Sequence, residues 1–160
     1  MASAGAERPL VTVLMPVFNA ERYVRKALQS IVDQSYRNLE ILVIDDGSTD
    51  GSPAVLKAFA RADRRIQLIS RSNKGLVASL NEGIAAATGR FIARMDADDV
   101  SARRRIERQV AYLIANPDVV VLGVRSFQHP LSPARWLIGK VHGKSHCTWS
   151  LLFTNYIGHP

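Results

Sequence analysis

Two short clusters of aspartate are the residues in this chain best suited to chemistry: Asp45-Asp46 and Asp96-Ala97-Asp98-Asp99. Each follows directly on a short apolar run, residues 41–44 and 91–95. Carboxylates crowded in this way repel one another unless a cation or the donors of a ligand compensate them. Hard oxygen donors with no histidine or cysteine close by in sequence suit Mg2+ or Mn2+ rather than Zn2+. Magnesium usually takes one or two protein carboxylates and completes its shell with substrate phosphates, so a nucleoside diphosphate is the natural third party. Either cluster alone reads equally well as a helix-capping turn on a solvated loop. Both on one rim favour a ligand site.

The elements between the clusters decide whether they share a rim. Apolar, β-branched runs at residues 10–15, 41–44, 66–69, 91–95 and 119–122 read as strands. Between them lie helical patterns. Asn19 is placed to cap a helix carrying Val24, Leu28, Ile31 and Val32, and Ser52-Pro53 starts one carrying Val55, Leu56 and Phe59. Leu76, Val77, Leu80 and Ile84 mark a third, which Gly89 is expected to end in the left-handed conformation. Ser101 is placed to cap a fourth, with Ile106, Val110, Leu113 and Ile114 facing inward. Alternation at this spacing predicts an α/β fold with a mainly parallel sheet flanked by helices. In such a sheet ligands bind beyond the carboxyl ends of the strands, which places all five carboxylates on one side. The expected organisation is a lead-in over 1–9, an α/β domain over 10–123 and an irregular region over 124–160.

Four blocks in unbroken order, VLMPVFNA at 13–20, IDDGSTDG at 44–51, NKGLVASLNEGIAAATG at 73–89 and ARMDADD at 93–99, resemble the successive signatures of family 2 glycosyltransferases. The resemblance covers roughly residues 11–123. It implies a GT-A fold, an inverting transfer from a nucleotide diphosphate sugar, and a divalent metal, Mn2+ or Mg2+. Pro16, Val17 and Phe18 match the loop lining the base and ribose pocket. Asp45 matches the acid that accepts a hydrogen bond from the base, as uracil would offer, and Asp46 belongs to the same donor-binding set. Lys74 lies in the stretch used near the base or diphosphate. Asp96, Ala97 and Asp98 match the Asp-x-Asp motif, with Asp96 toward the ribose, Asp98 on the metal and Asp99 beside it. UDP-linked donors and a glycan or lipid-linked acceptor are what the resemblance leads one to expect.

An inverting transferase also needs a general base, an acid well beyond the Asp-x-Asp motif in this family. No Asp or Glu follows Asp118, so the base has no candidate and the acceptor half is expected to be incomplete. The other reading is a non-catalytic sugar-nucleotide-binding or regulatory module.

Charge and composition narrow the remaining classes. Hydrophobic residues make up 47% and charged ones 22%, ordinary for a globular protein. The net charge of +7 is uneven: residues 1–99 hold 13 Lys/Arg against 12 Asp/Glu, and residues 100–160 hold 8 against 2. A basic half suits phosphate, an acidic glycan or a membrane surface, though a solvated face is the simpler account. Arg103-Arg104-Arg105 opposes the dipole of the helix it begins, which makes contact with a diphosphate or acceptor worth testing. No motif for nucleic acid is present. The single cysteine, Cys147, excludes an internal disulfide and fits a reducing compartment. With no apolar run near the roughly 18 residues of a membrane span, the expected location is cytoplasmic, with peripheral membrane contact at most. GKVHGKS at 139–145 has the wrong glycine spacing for a phosphate loop, and His142, His146 and Cys147 lack a fourth zinc ligand.

Overall fold

The computed structural model describes residues 8–124. Four strands, β1 (Val11–Val17), β2 (Leu39–Asp45), β3 (Ile66–Ser70) and β4 (Phe91–Arg94), alternate with helices α1 (Val24–Val32), α2 (Ser52–Ala62), α3 (Leu76–Ala86) and α4 (Arg105–Ala115). The sheet is parallel throughout, in the order β3-β2-β1-β4. Every residue of β2 is buried, the signature of a central parallel strand covered on both faces. The larger core layer joins Val13, Met15, Val17, Ile41 and Val43 to α1, α2 and α4 through Leu28, Ile31, Leu56, Ile106 and Val110. A smaller layer on the other face packs Leu14, Leu42 and Ile44 against Leu80 of α3.

The strand order reverses between β1 and β4, because β2 and β3 build outward on one side of β1 and β4 returns to the other. Such a switch point opens a crevice beyond the carboxyl ends of the strands. β4 pairs with β1 only as far as Leu14–Arg94, while β2 follows β1 through Val17. Pro16 therefore falls where β1 has no ladder on the β4 side, the position in which a missing N–H is tolerated. The expected parallel α/β sheet is present, and β1 extends two residues past the expected 10–15 run.

Several sequence expectations are corrected. Asn19 does not cap α1: it is left-handed (φ 49°), and its side chain accepts from Thr49 N–H. Gly89 is not left-handed and lies beyond the end of α3; a Cβ there would meet the Thr12 backbone nitrogen at 2.5 Å, so close approach to β1 is what requires glycine. The apolar positions of α3 do not all face inward. Val77 and Ile84 are exposed, while Ser79 and Gly83 are buried, because α3 lies so near β1 that only small residues fit against Leu14. Ser101 caps nothing, since α4 begins four residues later. Residues 119–122 form no strand, and Val120 and Val121 are exposed. Among the described residues, the compact unit that holds the sheet ends at Val119. The irregular region expected from 124 onward lies almost wholly outside the described residues.

At the amino ends of the strands, buried Glu40 fastens α3 to the sheet. It accepts from Thr12 and Gln67 side chains and from both the N–H and the hydroxyl of Thr88. Burial pushes its carboxyl up, but these hydrogen bonds outweigh burial and hold it below the usual glutamate range. A folded pKa lower than the unfolded one gives stability above the unfolded pKa that is lost as pH falls through the folded one. Chemical denaturation between about pH 6 and pH 3 should show that loss in the wild type, and Glu40→Gln should flatten it, at the cost of lower stability near neutral pH.

Candidate functional site

Four loops leave the carboxyl rim, one after each strand. The loop after β1 and the loop after β2 are laced together: Asn19 N–H donates to Ser48 Oγ at 3.0 Å, Ala20 N–H to Ser52 Oγ at 2.9 Å, and Gly51 N–H to Glu21 Oε2 at 2.9 Å. Asp45 ends β2, is buried, and accepts the Ser48 N–H at 3.0 Å. The turn at Gly47 is left-handed (φ 75°), and any Cβ there would strike Asn73 N at 2.7 Å. Glycine thus lets the β2 loop press against the segment leading into α3.

Asp46, expected among the donor-binding residues, follows Asp45 directly at the end of β2. Its carboxylate is buried and taken up within the protein. One oxygen accepts Lys74 N–H at 2.8 Å and pairs with Arg71, and the other accepts Gly75 N–H at 2.8 Å. Arg71 also donates to Glu82 at 2.6 Å and to Ser79 Oγ at 3.0 Å. Burial pushes Asp46 up, yet the Lys74 and Gly75 amides and the Arg71 guanidinium pull it below the usual aspartate range. Asp46 holds the loop that carries Lys74; Lys74 itself is exposed at the rim.

Across the switch point, Asp96–Asp99 form a turn closed by Asp99 N–H donating to Asp96 O at 3.2 Å. Asp98 and Asp99 are exposed and Asp96 is half-buried. Asp96 is paired with Arg94, whose Nε donates at 3.0 Å. Ala97 packs on the core beneath the turn. Partial desolvation raises Asp99 above the usual range, and the charges of Asp96 and Asp98 push the same way. Among the described residues no three His, Cys, Asp or Glu side chains are drawn together as a complete metal site. The donor set still fits a hard divalent cation carried by a diphosphate, which needs only one or two protein carboxylates. On the β1 side of the crevice Phe18 is half exposed and Pro16 partly so, whereas the Val17 side chain is buried in the core and can present only its backbone.

The segment between the acidic turn and α4 is held by a residue that its type and spacing did not single out. Gln34, fully buried after α1, donates to Ser30 O at 3.0 Å, Ser101 Oγ at 3.2 Å and Ala102 O at 2.9 Å, and accepts Ile106 N–H at 3.1 Å. It thereby satisfies an amide of the first turn of α4, for which Arg104 offers no side-chain cap. Arg71 was missed for the same reason: neither partner is near in sequence. Of the basic stretch, Arg104 pairs with Glu107 at 2.8 Å, Arg103 is exposed, and Arg105 folds back under the turn. His142, His146, Cys147 and the glycines at 139 and 143 lie outside the described residues.

Residues 12–156 match the model of glycosyl transferase family 2. The chain is 44% identical over 117 residues to the putative glycosyltransferase EpsE of Bacillus subtilis, covering 72% of this chain and 42% of that protein. It is 43% identical over 116 residues to an uncharacterized glycosyltransferase of Haemophilus influenzae, covering 72% and 36%. Among solved structures it resembles the mannosyltransferase PcManGT of Pyrobaculum calidifontis in complex with GDP-Man and Mn2+, at 32% identity and a TM-score of 0.66, covering 71% of this chain and 34% of that one. The chain thus spans well under half the length of these proteins.

Replacing Gln34 with leucine keeps the volume but strands Ser101, Ala102 O and Ile106 N–H without their partner. Each buried polar group so abandoned costs about 1–3 kcal/mol. Urea denaturation should show a loss of at least about 2 kcal/mol, and amide exchange should quicken first at residues 101–106.

Proposed function

The chain belongs to glycosyl transferase family 2, and on that premise we propose that its rim is the donor site of a metal-dependent, inverting glycosyltransferase using a nucleotide diphosphate sugar. The observation that carries this reading is one buried carboxylate and one exposed acidic turn on the same rim, on either side of β1. Asp45 ends β2 at the rim, and the exposed Asp98 and Asp99 lie beyond β4.

In this reading Asp45 accepts a ring N–H of the base, and Phe18 and Pro16 wall the base and ribose. Both uracil and guanine offer such an N–H, so this contact alone does not choose between them. The family's habit favours UDP, while the mannosyltransferase resembled by this chain holds GDP-Man. Lys74 stands where it can approach the diphosphate. Asp98 and Asp99 would hold the metal, with Asp96 turned toward the ribose. When bound, the metal neutralises charge on the departing nucleoside diphosphate. The manganese of the same mannosyltransferase structure supports a divalent ion here. A glycan or lipid-linked acceptor rests on the family resemblance alone. Among the described residues no helix is long and apolar enough to cross a membrane.

Calorimetric titration of UDP and GDP, separately, in Mn2+ and then in EDTA, tests the reading. One of the two should bind in Mn2+ at least about tenfold more tightly than in EDTA, corresponding to about 1.4 kcal/mol. Asp98→Ala should erase that difference while leaving the thermal midpoint near the wild-type value. Equal binding with and without metal would overturn the metal assignment, and no binding of either nucleotide would overturn the donor site.

A further inference from the structure

Arg105 is the one cation of its basic stretch that turns inward. Its Nη2 donates to Arg94 O at 3.0 Å, its Nη1 approaches Met95 Sδ at 3.2 Å, and its Nε donates to Gln109 Oε1 at 3.2 Å. The guanidinium therefore clamps the start of α4 to the last residue of β4, closing the base of the loop that carries the aspartates. None of these three partners is charged. Its charge is felt instead by Asp99, and burial, the larger effect, depresses its basicity against that attraction.

A half-buried cation without a hydrogen-bonded carboxylate carries a desolvation cost of its own. It becomes favourable when a neighbouring excess of negative charge needs it. The turn provides that excess. Asp96, Asp98 and Asp99 carry three negative charges, and Arg94 and Arg105 supply two positive ones, leaving a net of −1. Arg94 is exposed and pairs with Asp96, on the solvent side. Arg105 acts from beneath, through a fork fixed to backbone and core. The remaining charge of −1 draws a divalent cation, yet it is small enough for the turn to stay folded without one.

We propose that Arg105 is a positioning residue for metal binding, holding the Asp96–Asp99 turn in the shape that offers Asp98 and Asp99 to the cation. The proposal rests on the donor-site reading above, and it assigns Arg105 no contact with diphosphate or acceptor. Outer residues that orient metal ligands typically change metal affinity by about 10–100-fold when replaced.

The test is Mn2+ titration followed by the electron paramagnetic resonance signal of the free ion, with UDP or GDP present, for wild type, Arg105→Gln and Arg105→Lys. Thermal midpoints are measured alongside. Arg105→Gln should weaken Mn2+ binding by about tenfold or more in protein that is still folded. Arg105→Lys keeps the charge but loses the fork, and should fall between Gln and wild type. A purely structural residue would lower the midpoint and leave the Mn2+ affinity of the folded fraction unchanged; that result overturns the proposal. Should Arg105→Gln fail to fold, Arg105→Lys alone decides: at least about threefold weaker binding supports the proposal, and wild-type affinity overturns it. Failure of the wild type to bind Mn2+ with either nucleotide overturns the donor-site reading, and this proposal with it.

Discussion

Asp46 and Arg71 form an ion pair, largely buried, at the point where the sheet ends and the loops of the carboxyl rim begin. A lone charge of either sign in that position would be expelled or neutralised. Together, and with the Lys74 and Gly75 amides completing the carboxylate's hydrogen bonds, they fix the segment after β3 against the end of β2. Through Ser79 and Glu82 the same guanidinium also sets the first turns of α3. The placement of Lys74, the approach of Gly47 to Asn73 and the exposure of the rim beside Asp45 all follow from this one pair. Removing either partner would strand the other charge, so the arrangement is maintained as a unit.

The same problem recurs on the other side of the switch point with a different solution. There Asp98 and Asp99 are left open to solvent and Asp96 is half-buried, with Arg94 beside them and Arg105 below. The contrast between the two acidic clusters is informative. Asp46 is fully satisfied by its own protein, so it shapes the site. Asp98 and Asp99 remain exposed and underbalanced, so they are free to meet a cation and its phosphates. Asp45 stands between these cases, buried, with its carboxylate accepting the Ser48 amide. The parallel sheet makes this division possible. β1 lies between β2, which ends in Asp45, and β4, which leads into the acidic turn, and so keeps the two apart.

Much of the architecture was legible in the residues. Strands buried on both faces must be apolar, so runs such as 41–44 declare themselves, and helices set between them dictate a parallel sheet. The acidic clusters were legible as well, because strand ends in such a sheet face one side. The local caps were not. Asn19, Ser101 and Gly89 have the right chemistry for helix ends, but each is claimed by a tertiary contact: Thr49, Ser30 and Gln34, or the backbone of Thr12. The helical stripe misled at α3, where Val77 and Ile84 are exposed because the helix backbone approaches β1 through Gly83. Gln34 and Arg71 escaped notice, and Arg105 was read with its outward neighbours, since a polar residue's worth depends on partners far away in sequence. The Asp46 carboxylate shows the converse. Its motif points to the donor set, and its surroundings assign it to support.

Amide hydrogen exchange of the chain, with and without Mn2+ and a nucleoside diphosphate, probes the central claim most directly. The account predicts slowed exchange at the Ser48 amide, at Lys74 and Gly75, and through residues 96–101. Thr88 and Gly89, at the opposite end of the sheet, should not change. Protection at the Thr88 end, or none at the rim while nucleotide is bound, would contradict it.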